Sequence, residues 1–197
     1  MIPLFPFQQE AVDAVFRDWA AGHQAVVVSL PTGAGKTLVA ATIAQRAYHE
    51  RPEPILVLVP SDEILRQTVD EIAVVWEGIA IGIIQQQIRQ WRCPLLVASV
   101  ATLVRHLDEL PPMGLVITDE AHHADAPMWQ AIYRAIARRA PHVRHVGLTA
   151  TPFRTDRGGD AHALAMFPTL SYARSMFDLI AEGFLAPLCG MGIHSAT

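Results

Sequence analysis

The sequence predicts an α/β domain in which a mostly parallel sheet is sandwiched between helices. Short runs rich in Val, Ile and Leu recur without polar alternation, as is typical of strands buried on both faces of a parallel sheet. Segments with a helical pattern separate most of these runs, which is the order of repeated βαβ units. Because the 197 residues are 51% hydrophobic and 17% charged, we expect one packed globular domain rather than a disordered chain.

The predicted elements are assigned from these runs and from the segments between them. The predicted strands are 25–30, 55–59, 79–84, 95–98, 115–118 and 143–148. The predicted helices are 8–20, 36–49, 62–76, 101–110 and 127–139. After Pro152 the pattern changes and two adjacent glycines appear, so a loop and a short closing helix near 175–182 are expected.

Composition excludes several classes of protein. The net charge of −4 does not suggest a basic protein that coats nucleic acid without specificity. No apolar run reaches the ~18 residues of a membrane span, and the N-terminus does not resemble an export signal. We therefore expect a cytoplasmic protein with no membrane partner.

A zinc site or a disulfide framework is not indicated. Cys93 and Cys189 lie far apart and have no partner spacing. His122, His123 and Asp125 are close in sequence but do not match the H-E-x-x-H spacing of a zinc site. The arginines of 138–157, with His142 and His145, are expected to form a solvated face around a strand.

Several predicted strands end directly before small, polar or acidic residues. These segments are 31–37, 60–62, 99, 119–120 and 149–151. The carboxyl ends of parallel strands meet at one edge of the sheet, where open α/β sheets bind their ligands. We call this the carboxyl edge and expect it to gather all five segments.

The segment PTGAGKT predicts a phosphate-binding loop, because it lies between a predicted buried strand and a predicted helix. Gly33 and Gly35 allow the backbone to turn several N–H groups towards one anion. Lys36, the single lysine beside 14 arginines, is expected to reach the β- and γ-phosphates, and the Thr37 hydroxyl to ligate Mg²⁺. The alternative is a glycine-containing helix N-terminus without a ligand. The predicted cofactor-binding residues here are Pro31, Thr32, Gly33, Ala34, Gly35, Lys36 and Thr37.

A second motif, DEAH at 119–122, follows the predicted strand 115–118. A P-loop ATPase needs an acid near Mg²⁺ and a base for the attacking water. Asp119 suits the first role and Glu120 the second. The alternative is a solvated turn that happens to carry two acids.

With these two motifs the chain resembles the first motor domain of superfamily 2 helicases and translocases. Within that group it is most similar to the DEAH-type motors of type I and type III restriction enzymes and of excision-repair helicases. Further segments match in the family's order: LFPFQQEAV at 4–12 for adenine recognition, LVLVPSDEILRQ at 56–67 for motif Ia, VASVATL at 97–103 for motif Ib and LTATP at 148–152 for motif III. MFDLIAEGFLAPL at 176–188 is similar to the segment that ends the first domain.

The resemblance implies a RecA-like P-loop fold, with ATP and Mg²⁺ as cofactors, and it implies roles for individual residues. Gln8 would hydrogen-bond the adenine edge, and His122 would couple the ATP site to a partner domain. Thr149 and Thr151 would link hydrolysis to nucleic-acid engagement. The catalytic residues would be Lys36, Asp119 and Glu120, and the Mg²⁺ ligands Thr37 and Asp119.

The resemblance also implies that Ser61, Ser99 and Thr102 lie near the phosphate backbone of a bound strand. Hydroxyls and N–H groups at helix starts make such contacts without reading sequence. The alternative for Ser61 and Ser99 is ordinary helix N-capping, and one residue can do both.

The adenine-recognition segment departs from the family pattern R-P-Y-Q at two positions. Phe5 stands where the family has arginine, and Phe7 replaces tyrosine. Phe5 could stack on adenine or pack in the core, and both alternatives are open.

These expectations combine into one prediction of function. Residues 1–187 would form the ATP-binding motor domain of a nucleic-acid-dependent ATPase, with DNA favoured over RNA, and 188–197 a tail or the start of a linker. The family's second RecA-like domain, which carries the arginine fingers, would be missing from this chain, so the chain alone would be nearly inactive. The alternatives are an orphan motor lobe that binds nucleotide or a partner without turnover, and a P-loop kinase for a small molecule. TATP after DEAH argues against the kinase.

Overall fold

An eight-stranded sheet forms the centre of the protein in a computed structural model that describes residues 3–151, 153–155 and 161–187. Two further strands pair with each other outside this sheet. The strands are β1 (Ala25–Ser29), β2 (Ile55–Val59), β3 (Ile81–Gln85), β4 (Ile88–Arg89), β5 (Leu95–Ser99), β6 (Leu115–Thr118), β7 (Arg144–Thr149), β8 (Phe153–Thr155), β9 (Ala161–Ala163) and β10 (Thr169–Ala173). The helices are α1 (Pro6–Ala20), α2 (Lys36–Glu50), α3 (Asp62–Val75), α4 (Val100–Leu103), α5 (Pro127–Arg139) and α6 (Met176–Ala181).

The central sheet is parallel throughout except at one end. Its order is β10-β1-β7-β6-β2-β5-β3-β4, and only the β3–β4 pair is antiparallel. The register aligns the strand ends, with Ser29 opposite Thr149 and Val59 opposite Ser99. The predicted mostly parallel α/β architecture is confirmed, and the carboxyl ends of β1, β2, β5, β6 and β7 share one edge.

Two hydrophobic cores cover the two faces of the sheet. Along β1, Val26 and Val28 pack with the apolar residues of α1, α2 and α3, whereas Val27 packs on the opposite side with α4 and α5. This alternation follows from the two-residue period of a strand. The continuous apolar runs of the sequence are therefore explained, because both faces of the strands are buried.

The prediction of a helix over 101–110 is wrong. Helix α4 ends at Leu103, and a separate 3₁₀ turn covers Leu107–Glu109. Between them the backbone changes to i→i+3 hydrogen bonds, such as that from His106 N–H to the Leu103 carbonyl at 2.9 Å. Branched residues in α4 and the proline that follows Leu110 disfavour a longer helix.

The region after residue 152 contains strands that the sequence did not indicate. Strands β8 and β9 pair where a loop was expected, and β10 joins the main sheet beside β1. β10 is a partly exposed edge strand and has no continuous apolar run, so its signal was weak. The expected closing helix is present as α6, whereas the expected tail, 188–197, lies outside the described residues. Among the described helices, none has both the length and the apolar character needed to cross a membrane.

Candidate nucleotide-binding site

The segment between β1 and α2 turns through two glycines with left-handed backbone conformations. Gly33 has a φ of 83° and Gly35, the residue before α2, a φ of 76°. A Cβ atom on Gly35 would lie only 2.5 Å from Gln8 Nε2, so both the conformation and the space require glycine. The Lys36 ammonium donates a hydrogen bond to the Leu30 carbonyl at 3.4 Å. The loop is therefore formed at the carboxyl edge, with Thr37 in the first turn of α2.

Gln8 connects α1 to this loop and is almost fully buried, with 3% of its surface exposed. Its Nε2 donates to the Ala34 carbonyl at 2.9 Å, and its Oε1 accepts from the Phe5 N–H at 2.9 Å. The side chain thus satisfies the helix N-terminus and supports the loop at once. Its expected contact with adenine stays a prediction.

The two acids lie directly after β6, on the same edge. The Asp119 N–H donates to the Leu58 carbonyl of β2 at 2.9 Å, which extends the sheet by one residue. Glu120 has a φ of 49°, and its N–H donates to Asp119 Oδ1 at 2.9 Å. This left-handed residue, rare outside glycine, turns the chain sharply out of the sheet.

The electrostatics of Asp119 join the acidic pair to the loop. Burial is the main cause that raises the pKa of Asp119 above its usual range, and the Glu120 charge adds to it. The hydrogen bond from the Glu120 N–H and the positive charge of Lys36 oppose this shift. Lys36 is therefore near enough to Asp119 to stabilise its charge, although one motif follows β1 and the other follows β6.

The three residues expected to couple the site form one hydrogen-bond network. His122 Nδ1 lies 3.2 Å from Glu120 Oε2 and 3.2 Å from the Thr149 hydroxyl. That hydroxyl donates to the Thr151 carbonyl at 3.2 Å and accepts from the Thr151 N–H at 3.1 Å. The network joins the acidic pair after β6 to the segment after β7. Pro152, the last residue of the motif III match, lies outside the described residues.

The three candidate nucleic-acid residues have different environments. Ser61 caps α3, since its hydroxyl accepts from the Ile64 N–H at 3.4 Å. Ser99 is fully buried and donates to the Thr102 hydroxyl at 3.1 Å, without a side-chain cap bond to α4. Capping by the side chain is thus confirmed for Ser61, whereas Ser99 occupies the N-cap position of α4 without a capping bond from its hydroxyl. Contact of the three residues with nucleic acid stays a prediction.

Several neighbours of the site were not found by sequence reasoning. Gln86 donates its N–H to the Thr102 hydroxyl at 3.0 Å and its side chain to Asp62 at 3.0 Å, which bridges the two segments that match motifs Ia and Ib. Phe184 contacts Phe5 with ring centroids 5.2 Å apart, close to the loop. The run of three glutamines at 85–87, directly after a predicted strand, is the sequence signal that could have indicated the contacts of Gln86.

Comparisons with known proteins show the family and the fold of the chain. The family model described as "Type III restriction enzyme, res subunit" matches residues 1–154. The chain is 33% identical over 204 residues to the DNA 3'-5' helicase XPB of Kineococcus radiotolerans, covering 93% of this chain and 32% of the relative. It is 27% identical over 205 residues to a protein of African swine fever virus, provisionally named an ATP-dependent RNA helicase, covering 95% of this chain and 39% of the relative. The chain therefore spans about two fifths or less of the length of these relatives.

A solved structure shares the fold. The nuclease-deletion mutant of the type ISP restriction-modification enzyme LlaGI, in complex with a DNA substrate mimic, superposes with a TM-score of 0.72. The match has 15% identity and covers 93% of this chain and 21% of that one. The family model covers most of the chain. This chain belongs to the type III restriction enzyme res-subunit family, as the first RecA-like motor domain of a superfamily 2 helicase.

Proposed function

We propose that this domain binds ATP with Mg²⁺ and acts as the motor of a nucleic-acid-dependent ATPase of the DEAH type. The observation that supports it best is the placement of the segment after β1, with Lys36, and the segment after β6, with Asp119, at one edge of the sheet, where β7 alone separates the two parallel strands. A phosphate-binding cation beside a carboxylate is what a nucleotide–metal complex requires. A small-molecule kinase is not favoured, because the family of the chain is a helicase family.

The residues fit the nucleotide. Gly33 and Gly35 adopt left-handed conformations that turn the backbone of the loop, and the Gln8 side chain packs directly against Gly35. Backbone N–H groups of the loop, from Thr32 onward, and the N-terminus of α2 would hold the phosphates. Lys36 would exchange its weak 3.4 Å bond with Leu30 for a phosphate oxygen.

The residues also fit Mg²⁺. The described residues contain no group of three or more His, Cys, Asp or Glu side chains that could hold a metal on their own. Mg²⁺ needs no such group, since it usually keeps several waters and takes one or two protein ligands beside phosphate oxygens. We infer that Thr37 and Asp119 are those ligands. The ion would neutralise part of the negative charge on the phosphates of the nucleotide.

Glu120 is the residue we assign to activation of the attacking water. Its carboxylate is about two-thirds buried and accepts from His122 Nδ1, which fixes the orientation of the carboxylate. A positioned carboxylate can accept the proton of a water as the water attacks phosphorus. His122 and Thr149 act through Glu120 and are positioning residues.

We propose nucleic acid as the macromolecular partner, with DNA favoured over RNA. The relative with the highest identity among those compared carries the name of a DNA helicase, and the LlaGI structure contains a DNA substrate mimic. The proposed surface for a strand lies at the carboxyl edge, where Ser61 precedes Asp62 and the exposed Gln86 after β3 donates to the Asp62 carboxylate. A second RecA-like domain, supplied from outside these residues, would complete the track, and the cytoplasm is the proposed location.

Calorimetric titration with ATP in the presence of Mg²⁺ tests the nucleotide site. Lys36→Ala should weaken binding by about 10- to 100-fold, because charged hydrogen bonds contribute about 1.5–3 kcal/mol. Arg46→Ala is the matched control, since Arg46 lies on the same helix but pairs with Asp13 at the surface. Equal affinities of the wild type and Lys36→Ala would overturn the site assignment.

A further inference from the structure

One stretch of this acidic chain carries positive charge without any negative charge. Residues 78–107 contain Arg89, Arg92, Arg105 and His106 but no Asp or Glu, whereas the whole chain has a net charge of −4. All three arginines are exposed. Arg89 lies on β4, the last strand of the sheet, and Arg92 follows it three residues later. A local excess of positive charge attracts polyanions even when the net charge of the protein is negative.

The segment that carries Arg89 and Arg92 runs from the carboxyl edge along the end of the sheet. It begins at the turn around Gln86, whose side chain bonds to Asp62 in the proposed surface for a strand. β4 then pairs antiparallel with β3, and beyond it the Gln90 N–H donates to the Ile83 carbonyl at 3.1 Å. A nucleic-acid strand that crosses the carboxyl edge at Gln86 can therefore continue along this segment without leaving the protein surface.

The same segment lines a groove at this end of the sheet. The groove has a volume of about 410 Å³ and is bordered by Ile81 of β3 and by Arg89, Trp91 and Arg92. Among the described residues, no carboxylate forms a salt bridge with either of these arginines. Two guanidinium groups beside an indole ring offer what a nucleic acid needs, cations for its phosphates and an aromatic face for a base.

Hydrogen bonds hold the indole and one guanidinium in defined positions. Trp91 Nε1 donates to Glu109 Oε2 at 2.8 Å, and Arg89 Nη1 lies 3.1 Å from His106 Nε2. A guanidinium can only donate, so His106 accepts at Nε2 and carries its hydrogen on Nδ1, which donates to Glu109 Oε1 at 3.0 Å. Both oxygens of Glu109 thus accept from neutral groups, and the imidazole separates them from Arg89. Side chains that are ordered beforehand lose less conformational freedom when a ligand binds.

We propose that this groove is a second nucleic-acid contact, in which Arg89 and Arg92 bind phosphates of a single strand and a base stacks on Trp91. The strand would reach the groove from the carboxyl edge. The contact does not read sequence, because every nucleotide has a phosphate and every base has a π-face. This inference rests on the proposed nucleic-acid-dependent function, whose partner it extends to a surface beyond the carboxyl edge.

The test measures binding of the full chain to an oligothymidylate of about 20 nucleotides, long enough for both contacts, by anisotropy at several salt concentrations. Arg89→Gln combined with Arg92→Gln should weaken binding by about 10-fold. It should also reduce the slope of log affinity against log salt by about 1.4, since each phosphate contact on a single strand contributes about 0.7. The matched control combines Arg134→Gln with Arg138→Gln, two exposed arginines on α5, and should change neither quantity.

Trp91 provides a local readout in the same experiment. The other three of the four tryptophans are buried, so the indole ¹H–¹⁵N resonance of Trp91 alone should shift when the oligonucleotide is added. Trp91→Phe assigns the resonance. If Arg89→Gln disturbs the fold because His106 loses its donor, Arg92→Gln alone should still lower the salt slope by about 0.7.

The contrary outcomes are distinguishable from one another. Equal salt slopes for the wild type and the groove variants would overturn the second contact, and an unshifted Trp91 resonance at saturation would exclude the stacked base. An equal loss in the α5 control would show a general effect of net charge and would also overturn the groove. In all three cases salt-dependent DNA binding by the wild type leaves the proposed function standing. Failure of the wild type to bind any single strand would overturn the proposed nucleic-acid partner itself.

Discussion

Glu120 and His122 are joined by a contact of 3.2 Å between Oε2 and Nδ1, and this contact fixes the position of a proton. The Thr149 hydroxyl has one hydrogen, which it donates to the Thr151 carbonyl. The hydroxyl can therefore only accept from His122 Nδ1, which lies 3.2 Å away. His122 must carry a hydrogen on Nδ1 and share it between Glu120 and Thr149. The histidine thus orients the carboxylate that we assign to water activation.

Thr149→Val tests this network, because it keeps the shape of the side chain and removes the hydroxyl. We expect a loss of about 1–2 kcal/mol in the free energy of unfolding, since the Thr151 N–H and His122 Nδ1 both lose a hydrogen-bond partner. The ¹⁵N resonance of His122 Nδ1 should shift, while ATP affinity stays the same.

Thr118→Val is the matched control. Thr118 lies on β6, the strand next to β7, and its buried hydroxyl is 3.0 Å from the Tyr133 hydroxyl of α5. The substitution removes this hydroxyl. The control should lose comparable stability without a change in the His122 resonance. Detection of His122 protonated on Nε2 alone in the wild type would contradict the network.

Ser61 offers a way to separate helix capping from contact with nucleic acid. Ser61→Ala should destabilise the protein by about 1 kcal/mol through loss of the cap, and should also weaken binding of single-stranded DNA. Ser175→Ala removes an equivalent cap, in which the Ser175 hydroxyl accepts from the Asp178 N–H at 3.1 Å on α6. It should cost similar stability but leave DNA affinity unchanged.

DNA affinity is measured by fluorescence anisotropy at several salt concentrations. Binding by the isolated domain should be weak, steeply salt-dependent and nearly independent of sequence. If Ser61→Ala and Ser175→Ala change DNA affinity equally, Ser61 caps α3 and does not contact the DNA. Tight binding that is insensitive to salt would contradict the motor-domain assignment.

Strands buried on both faces could be predicted well from the sequence, and edge elements could not. β2 carries five apolar residues in a row because both of its faces are covered, so its bounds were predicted correctly. β10 pairs with β1 alone, and its segment TLSYA carries polar residues that bond to α1, such as Ser171 to Asp18 at 2.5 Å. A strand with this mixed environment has no periodic apolar signal.

Some residues of the site could likewise be predicted from the sequence, and others could not. The glycines and the lysine of the loop are required by local geometry, and so PTGAGKT could be recognised from its letters alone. The role of Gln8 depends on burial and on a partner distant in sequence, Ala34, and that of Ser99 on its burial beside Thr102. Burial of a polar side chain has no local sequence signal, so these hydrogen bonds could not be predicted; the adenine and phosphate contacts that the resemblance implies for the two residues stay predictions.

His145 shows the same limit, and it leads to a prediction about pH. It was expected on a solvated face, but it is buried on β7, with its ring edge-on to Tyr133 at 5.8 Å. Burial lowers the pKa of His145 from its usual value near 6.5 to about 4. The unfolded chain therefore binds this proton at higher pH than the folded protein does, and stability is lost as the pH falls from 6.5 towards 4.

His145→Leu should remove this part of the pH dependence. Relative to pH 7.5, the wild type should lose about 2 kcal/mol more than the variant at pH 5, since each pKa unit corresponds to about 1.4 kcal/mol. Urea unfolding at pH 7.5, 6 and 5 measures the difference. His142→Leu is the control, because His142 is exposed three residues earlier in the sequence. Parallel pH profiles for the wild type and His145→Leu would show that folding does not lower the pKa of His145.

Turnover distinguishes a motor domain from a self-sufficient ATPase. Glu120 can orient and deprotonate water, but in P-loop enzymes an arginine on the γ-phosphate supplies roughly 10³–10⁵ in rate. The resemblance implies that the arginine fingers belong to a second RecA-like domain, so we expect residues 1–197 by themselves to bind ATP and hydrolyse it very slowly, without unwinding. Addition of a second motor domain should restore nucleic-acid-stimulated phosphate release.

Glu120→Gln should then abolish that release while ATP affinity persists, because the amide cannot accept the proton. Glu63→Gln, an exposed change on α3, should leave the rate unchanged. Fast, DNA-stimulated hydrolysis by the 197-residue chain alone, dependent on Glu120, would refute the requirement for a second domain.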